Sequence, residues 1–159
     1  MAHVATPADY PLLLSLWTAN LPALDAAYGA ANVNHARTAA DLASGVAAGE
    51  EFWLSTLGDA YFAMRPGILP DGTAAWEFFE ACFTAAARVN PRWKNVSKEM
   101  LLAVRSRGLA LGYQWAFCRT SALLAAASQT RLAAVQLLIT RESSGLDLRV
   151  FDLNSFVVA

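Results

Sequence analysis

The sequence is short of charged residues, cysteines and long apolar runs, and each shortage excludes a class of protein. Only 16% of its 159 residues are charged and 56% are hydrophobic, whereas an average soluble domain has about 25% charged residues. Lys and Arg total 12 and Asp and Glu total 13, so the net charge is -1. Such a chain lacks the excess of positive charge that a nucleic-acid groove needs. No charge-free run of about 18 apolar residues is present, so no membrane span is predicted.

Two cysteines and two histidines leave little for disulfide or metal chemistry. Cys82 and Cys118 lie in apolar runs, where a free cysteine is usually a small buried hydrophobe, and one pair makes no disulfide framework. His3 and His35 have no ligand cluster around them, so we expect no metal site. The first residues lack a basic segment followed by an apolar one, so we expect no signal peptide. These features together predict a cytoplasmic chain.

The length of the chain suits one domain, which we expect to span residues 1–159. The low charge content predicts that other protein chains cover part of its surface, in an oligomer or a larger assembly. The alternative is an ordinary monomer surface, since exposed apolar atoms are normal.

The first third of the chain predicts a short edge strand followed by two helices. Residues 2–6 are apolar, and Thr6 followed by Pro7 marks a helix start. We expect that helix to end or bend at Pro22. Thr38 is the predicted cap of the second helix.

Aromatic and β-branched runs then predict an antiparallel meander of three strands, at 50–57, 60–65 and 74–84. Gly58-Asp59 is a candidate two-residue hairpin turn, and 66–72 is a predicted loop. The third strand is apolar on both faces, so it is predicted to be central. Strict alternation places Glu77 and Glu80 on its opposite faces.

Ser97 is the predicted cap of a long helix whose apolar stripe continues through Trp115. In the alternative, that helix stops at Gly112 and residues 113–118 form a strand. The remaining predicted elements are a short strand at 121–127, a short helix that Ser128 begins, and a hairpin of 137–142 with 146–153.

This order of elements resembles the GNAT acyltransferase fold over nearly the whole chain. Residues 3–10 with Leu13 and Trp17 are similar to the first strand and helix of many GNAT proteins. The resemblance implies an α+β fold, in which helices flank a mixed, mainly antiparallel sheet and a long helix follows the meander. It also implies transfer of an acetyl group from acetyl-coenzyme A to an amine.

The family's cofactor motif opens that long helix with Arg or Gln, two spacers, and Gly-x-Gly or Gly-x-Ala. Its glycines let backbone N–H groups reach a pyrophosphate at the helix N-terminus. Residues 87–97 read ARVNPRWKNVS, with no glycine, and Pro91 removes one N–H donor. The loop is therefore predicted to be eroded, and we expect no cofactor unless acetyl-coenzyme A binds in another way.

If acetyl-coenzyme A does bind, the resemblance implies that the backbone of 83–85 holds the pantetheine arm and that basic residues of the next turn lie near the phosphates. Ser128 stands where the family often has Asn. The candidate cofactor-binding residues are then Phe83, Thr84, Ala85, Arg88, Arg92, Lys94, Ser97 and Ser128. In the alternative, the arginines and lysine form a solvated basic turn and Ser128 only caps a helix.

Glu77 and Glu80 lie on the strand that holds the acceptor amine in active GNAT enzymes, so either is a candidate general base. The alternative is a structural carboxylate paired with an arginine, because an unpaired buried carboxylate is costly. Tyr113 is a candidate general acid only if the long helix ends near Gly112. Trp93 lies in a polar turn and is a candidate interface anchor, the alternative being packing on its own domain.

Residues 83–153 also resemble the small GNAT-like internal virion protein of T7-type phages, in which a glycine-poor turn with a tryptophan leads into the long helix. The matching stretch here is 92–98, RWKNVSK. This resemblance implies a phage-encoded domain, in a virion or the host cytoplasm, that kept the fold and lost the chemistry.

Three functions follow from these observations. The first is a non-catalytic structural or interaction protein whose partners are other protein chains, as in a phage particle. The second is an acetyl-coenzyme A-dependent N-acyltransferase, and the third is an inhibitor or regulator using the same surface. An enzyme predicts an open cleft between the strands at 76–84 and 121–127, whereas a scaffold predicts that side chains fill it.

Overall fold

The computed structural model of the chain describes residues 1–120, 138–142 and 144–155, in which a mixed sheet separates two sets of helices. The helices are α1 Tyr10–Tyr28, α2 Ala39–Ala47 and α3 Arg92–Ala110. The strands are β1 His3–Val4, β2 Glu51–Leu54, β3 Ala60–Ile68, β4 Ala74–Phe83, β5 Trp115–Thr120, β6 Leu138–Arg141 and β7 Asp147–Asp152. Within those described ranges, no helix combines the length and the apolar character needed to cross a bilayer.

The sheet has the strand order β1-β2-β3-β4-β5-β7-β6. Its neighbouring strands are antiparallel except for β4 and β5, which pair in parallel. A parallel pair needs a long crossover, and here the crossover contains α3. The predicted α+β class, the three-strand meander and the following long helix are therefore confirmed.

The two predicted helix caps are confirmed, but α1 is longer than expected. Thr6 caps a 3₁₀ turn at Pro7–Asp9 that leads into α1, and its backbone N–H donates to Asp9 Oδ2 at 2.7 Å. Thr38 forms the same kind of capping box with Asp41 at the start of α2. The sequence predicted that this helix ends or bends at Pro22, and α1 does not end there, because it continues through Pro22 to Tyr28. Packing of the buried face of α1 against the sheet outweighs the hydrogen bond that a proline removes.

Strand β3 runs through Pro66 and Gly67, where the sequence predicted a loop. Gly67 is required because a Cβ at this position would lie 2.7 Å from the ring of Phe117. The two-residue turn at Gly58-Asp59 was also wrong. A bond from the Ser55 N–H to the Ala60 carbonyl closes a longer loop, in which Gly58 has φ of 66°.

A β-bulge in β4 changes which side chains share a face. Ala63 pairs with Glu80 and Met64 with Phe78, so Phe79 is the extra residue. Beyond the bulge, Cys82 joins Phe79 in the cluster beneath α1 and α2, and Ala81 lies with Trp76 beneath α3. Strict alternation therefore failed at this position.

The bulge also moves the candidate carboxylates. Glu77 pairs with Arg65, whose guanidinium stacks on Phe79, and Glu80 pairs with Tyr61 of the cluster beneath α1 and α2. Both carboxylates thus lie on the side of the sheet away from α3. The prediction that they lie on opposite faces was wrong.

Helix α3 begins at Arg92 and ends at Ala110. Gly112 follows with φ of 84°, a conformation that glycine adopts without strain, and Trp115 begins β5. The favoured prediction of one helix through Trp115 was therefore wrong, and the alternative, a strand after Gly112, is confirmed. Gly108 lets α3 approach the sheet, because a Cβ there would lie 2.5 Å from Leu153 Cδ1.

The predicted C-terminal hairpin is confirmed by the pairing of β6 with β7. The predictions of a strand at 121–127 and of a helix begun by Ser128 lie outside the described residues.

Candidate functional site

A cleft opens where β4 and β5 separate. The two strands pair only at Trp76 with Ala116 and at Glu77 with Phe117. Beyond these pairs lies a cleft of about 670 Å³, within the range of small-molecule sites. Its apolar walls include Phe78, Ala81, Phe83, Trp93, Met100 and Cys118. The cleft predicted for an enzyme lay between 76–84 and 121–127, and 121–127 lies outside the described residues; the strand beside β4 in the described part of the chain is β5.

Asn20 of α1 hydrogen-bonds the backbone at the end of β4. Its side-chain Nδ2 donates to the Phe83 carbonyl at 3.0 Å, and its Oδ1 accepts from the Phe83 N–H at 3.3 Å. Both backbone groups of Ala60, the cross-strand partner of Phe83, bond instead to Ser55. Asn20 is only 3% exposed, so it is a buried amide that takes the place of a strand neighbour.

Asn20 was not among the residues that the sequence predicted for the site. A signal was present, because Asn20 follows the buried residues Leu16 and Trp17 at helical spacing on the apolar face of α1. A polar residue on a buried helix face needs hydrogen-bond partners. The residues next to Asn20 in the sequence do not show which groups those partners are.

Arg88 lies at the mouth of the cleft, in a 3₁₀ turn at Ala86–Arg88. Its Nη2 donates to Asn20 Oδ1, and its guanidinium lies 5.7 Å from the centre of the Phe83 ring. Thr84 supports this turn, since its hydroxyl accepts from the Ala87 N–H at 3.1 Å. The exposed Ala85 is the cap residue of the turn. Arg88 is thus held by a neutral partner.

Arg92 is bound elsewhere. Its guanidinium makes two bonds to the Asp59 carboxylate, at 2.5 and 2.6 Å, and a third to Glu99 at 3.4 Å. The guanidinium lowers the pKa of Asp59 to about 2. Arg92 therefore fastens the start of α3 to the loop between β2 and β3.

The other predicted residues of this turn divide between the helix surface and the helix interior. Ser97 is buried within α3, where its hydroxyl donates to the Trp93 carbonyl at 2.8 Å, so its predicted role as the cap was wrong. Lys94 is exposed on the first turn of α3. Trp93 packs edge-to-face on Phe83, with ring centres 5.1 Å apart. Ser128 lies outside the described residues.

Both candidate general bases are paired, as the structural alternative predicted. The Glu77 carboxylate is 2.7 Å from Arg65 Nε and 3.3 Å from Arg119 Nη1. Oε1 of Glu80 accepts from the Tyr61 hydroxyl at 2.5 Å and from Arg37 at 2.6 Å. Burial and the Glu80 carboxylate raise the pKa of Tyr61 far above its ordinary value, so this hydroxyl is a hydrogen-bond donor.

The remaining reactive groups are also occupied or neutral. Burial raises the pKa of Cys118, which lines the cleft, to about 12, so its thiol is protonated at neutral pH. Tyr113 stacks on Trp76, with ring centres 5.6 Å apart. His35 pairs with Asp25 at 2.9 Å. Among residues 1–120, 138–142 and 144–155, no three His, Cys, Asp or Glu residues converge as a metal site would require.

Comparison with known proteins identifies the fold. No protein-family model and no curated protein matches the sequence. The structure is similar to a putative acetyltransferase from Salmonella typhimurium, solved with its cofactor acetyl-coenzyme A. The TM-score is 0.67 at 13% identity, covering 100% of this chain and 96% of that one.

Two further solved structures agree. A GNAT-family acetyltransferase from Listeria monocytogenes gives a TM-score of 0.65 at 11% identity, covering 96% of this chain and 94% of that one. A ribosomal-protein-alanine N-acetyltransferase from Brucella melitensis gives 0.62 at 16% identity, covering 94% and 96%. The chain therefore has the GNAT fold, as the order of its elements predicted.

Proposed function

We propose that this chain is a non-catalytic binding protein with the GNAT fold. Its single domain spans residues 1–159, and the membership of all seven described strands in one sheet supports this extent. The cleft between β4 and β5 is its binding site.

The hydrogen bonds between Asn20 and Phe83 carry this proposal. An acyl-coenzyme A bound as in the acyltransferase alternative would place its pantetheine arm on the backbone of 83–85. The N–H and carbonyl of Phe83 are already bound by a buried amide, and displacing that amide would leave polar groups unpaired. An unpaired buried group costs about 1–3 kcal/mol, so cofactor binding starts at a disadvantage.

The charges at the start of α3 support the same conclusion. Arg92 is neutralised by Asp59 and Glu99. Pro91, the cap residue of α3, offers no N–H donor. A diphosphate needs several N–H donors and positive charges. Of the three basic side chains Arg88, Arg92 and Lys94, Arg88 lines the cleft.

The two carboxylates on β4 support a non-catalytic role as well. Glu77 is held between two arginines, and one oxygen of Glu80 already accepts two short hydrogen bonds. A general base must accept a proton from the substrate in the reaction. Withdrawing the Glu80 carboxylate would leave Arg37 without its ion-pair partner, and withdrawing the Glu77 carboxylate would break its bonds to both arginines.

The second candidate function is an acetyl-coenzyme A-dependent N-acyltransferase. The open cleft of about 670 Å³ favours it, as does the similar structure from Salmonella typhimurium with its bound cofactor. In this case Phe83, Thr84 and Ala85 would meet the pantetheine arm, and Arg88 and Lys94 would lie near the phosphates.

The proposal extends to the biological setting through the resemblance of 83–153 to the internal virion protein of T7-type phages. Its partners would be other protein chains, in a virion or in the host cytoplasm. Trp93 would then serve both the cleft wall and the contact with a partner, because it is only half-buried at the cleft.

Thermal melting with and without acetyl-coenzyme A separates the two functions. The ligand is added at about 1 mM, a concentration that would saturate even a weak site. A ligand at about 100 times its Kd stabilises by about 2.7 kcal/mol, a rise of several degrees in Tm. We expect no rise. A rise that is lost in Arg88→Ala and kept in Lys98→Ala would replace the proposal with the acyltransferase.

A further inference from the structure

We infer that the cleft binds a small amphiphile with one negative charge. Its carboxylate would bond to Arg88, and its apolar chain would lie between β4 and α3. The inference rests on the proposed function, since it takes the cleft as a binding site.

Arg88 is held in position by a neutral side chain. Its Nη2 donates to Asn20 Oδ1, which belongs to a neutral amide that is itself fixed by the Phe83 backbone. Among the described residues, no carboxylate forms an ion pair with Arg88. A guanidinium has five N–H donors, and a carboxylate takes two of them in a fork. Arg88 thus offers a preorganised and unneutralised site at the mouth of the cleft.

The neighbouring cations limit the ligand to one negative charge. Arg119 also lines the cleft but lies between Glu77 and Glu142. Arg37 is paired with Glu80. With these charges cancelled, one carboxylate is matched by Arg88, whereas a diphosphate would carry charge that this site leaves uncompensated.

The walls of the cleft determine the rest of the ligand. The wall on the side of α3 is apolar, formed by Phe78, Ala81, Phe83, Trp93, Met100 and Cys118. Glu80 also lines the cleft, but its charge is cancelled by Arg37, so this pair gives a ligand carboxylate no net attraction. The charged end therefore stays at Arg88, and the apolar chain extends past Phe83. A volume of about 670 Å³ accommodates a chain of about ten carbons.

Isothermal titration of the full chain with decanoate, octanoate and decanol tests this inference. We expect decanoate to bind more tightly than octanoate, by about fourfold for each of the two additional methylenes if both are buried. Arg88→Gln should weaken decanoate binding at least tenfold and leave the weaker binding of decanol unchanged. Lys98→Gln, which removes a positive charge from an exposed site on α3, should bind decanoate like the unaltered chain.

A second variant tests the apolar wall with Arg88 intact. Ala81→Leu adds bulk inside the cleft and should weaken decanoate and decanol alike. Thermal melting without ligand confirms that each variant is folded. The inference is overturned if decanoate does not bind, if Arg88→Gln binds it normally, or if octanoate and decanoate bind equally.

The failures of the two proposals are distinguishable. Decanoate binding that depends on Arg88, together with acetyl transfer from acetyl-coenzyme A, would overturn the non-catalytic function and keep the ligand assignment. No decanoate binding and no effect of acetyl-coenzyme A on Tm would overturn the ligand assignment alone.

Discussion

The side-chain amide of Asn20 hydrogen-bonds both the N–H and the carbonyl of Phe83, so a helix side chain completes the end of a strand. The same amide oxygen accepts from Arg88, and Nδ2 also donates to the Leu16 carbonyl at 2.7 Å. One buried residue therefore joins α1, β4 and the turn at the mouth of the cleft. Stability and ligand binding are both predicted to depend on it.

Replacing Asn20 with Ala is expected to lower the free energy of unfolding by about 1–3 kcal/mol, because two backbone groups of Phe83 lose their partner. Urea denaturation at pH 7 measures this. Asn32→Ala is the matched control, since Asn32 is exposed and makes one local bond to the Tyr28 carbonyl. If both variants lowered the free energy of unfolding equally, the hydrogen bonds to Phe83 would add no more stability than the exposed bond of Asn32.

The pairing of Asp59 with Arg92 predicts a loss of stability in acid. The folded-state pKa of Asp59, about 2, lies below its ordinary value of 3.8. The pair therefore stabilises the fold above about pH 4, and this contribution disappears as the pH falls from about 4 to about 2. Partial exposure of both side chains limits it to about 1–2 kcal/mol.

Urea denaturation from pH 7 to pH 3 measures this contribution. Asp59→Asn should be less stable than the unaltered chain at pH 7, and the difference should shrink as the pH falls. A double-mutant cycle with Arg92→Ala isolates the pair. A difference that does not change with pH would assign the effect to packing rather than to charge.

Changing Glu80 to Gln is expected to lower the free energy of unfolding by about 2–4 kcal/mol. Arg37 would then lose its anion, although its side chain is only 10% exposed. Glu142→Gln is the control, because its partner Arg119 is 33% exposed and also pairs with Glu77, and it should cost less than about 1 kcal/mol. Recovery of stability in Glu80→Gln with Arg37→Met would confirm that the unpaired charge is the cause.

Gly108→Ala tests the contact between α3 and the sheet, because two effects oppose each other. Alanine is favoured over glycine inside a helix by about 1 kcal/mol, but the new Cβ would lie 2.5 Å from Leu153 Cδ1 and 3.2 Å from the Trp76 side chain. We expect the crowding to dominate, with a net loss of about 1–3 kcal/mol in chemical denaturation. The exposed Ser106→Ala should change stability by less than about 0.5 kcal/mol. A gain in Gly108→Ala would mean that α3 can move away from the sheet.

The sequence predicted correctly those features that depend on nearby residues. The caps at Thr6 and Thr38, the meander and the C-terminal hairpin each follow from bonds or side-chain periods within a few positions. The order of these elements was enough to indicate the GNAT fold. The absence of glycine from the turn before α3 was also evident from the sequence, because it depends only on which residues occupy that turn.

The tertiary structure alone decided the candidate site. The bulge at Phe79 moved Glu77 and Glu80 to one face. Charged side chains also form ion pairs with residues distant in the sequence, as Arg92 does with Asp59. Asn20 became the partner of Phe83 although 63 positions separate them. A buried polar side chain needs a hydrogen-bond partner, but the identity of that partner depends on how elements far apart in the chain pack together. The sequence by itself therefore determined the elements and their order, and three-dimensional packing determined which residues remain available to a ligand.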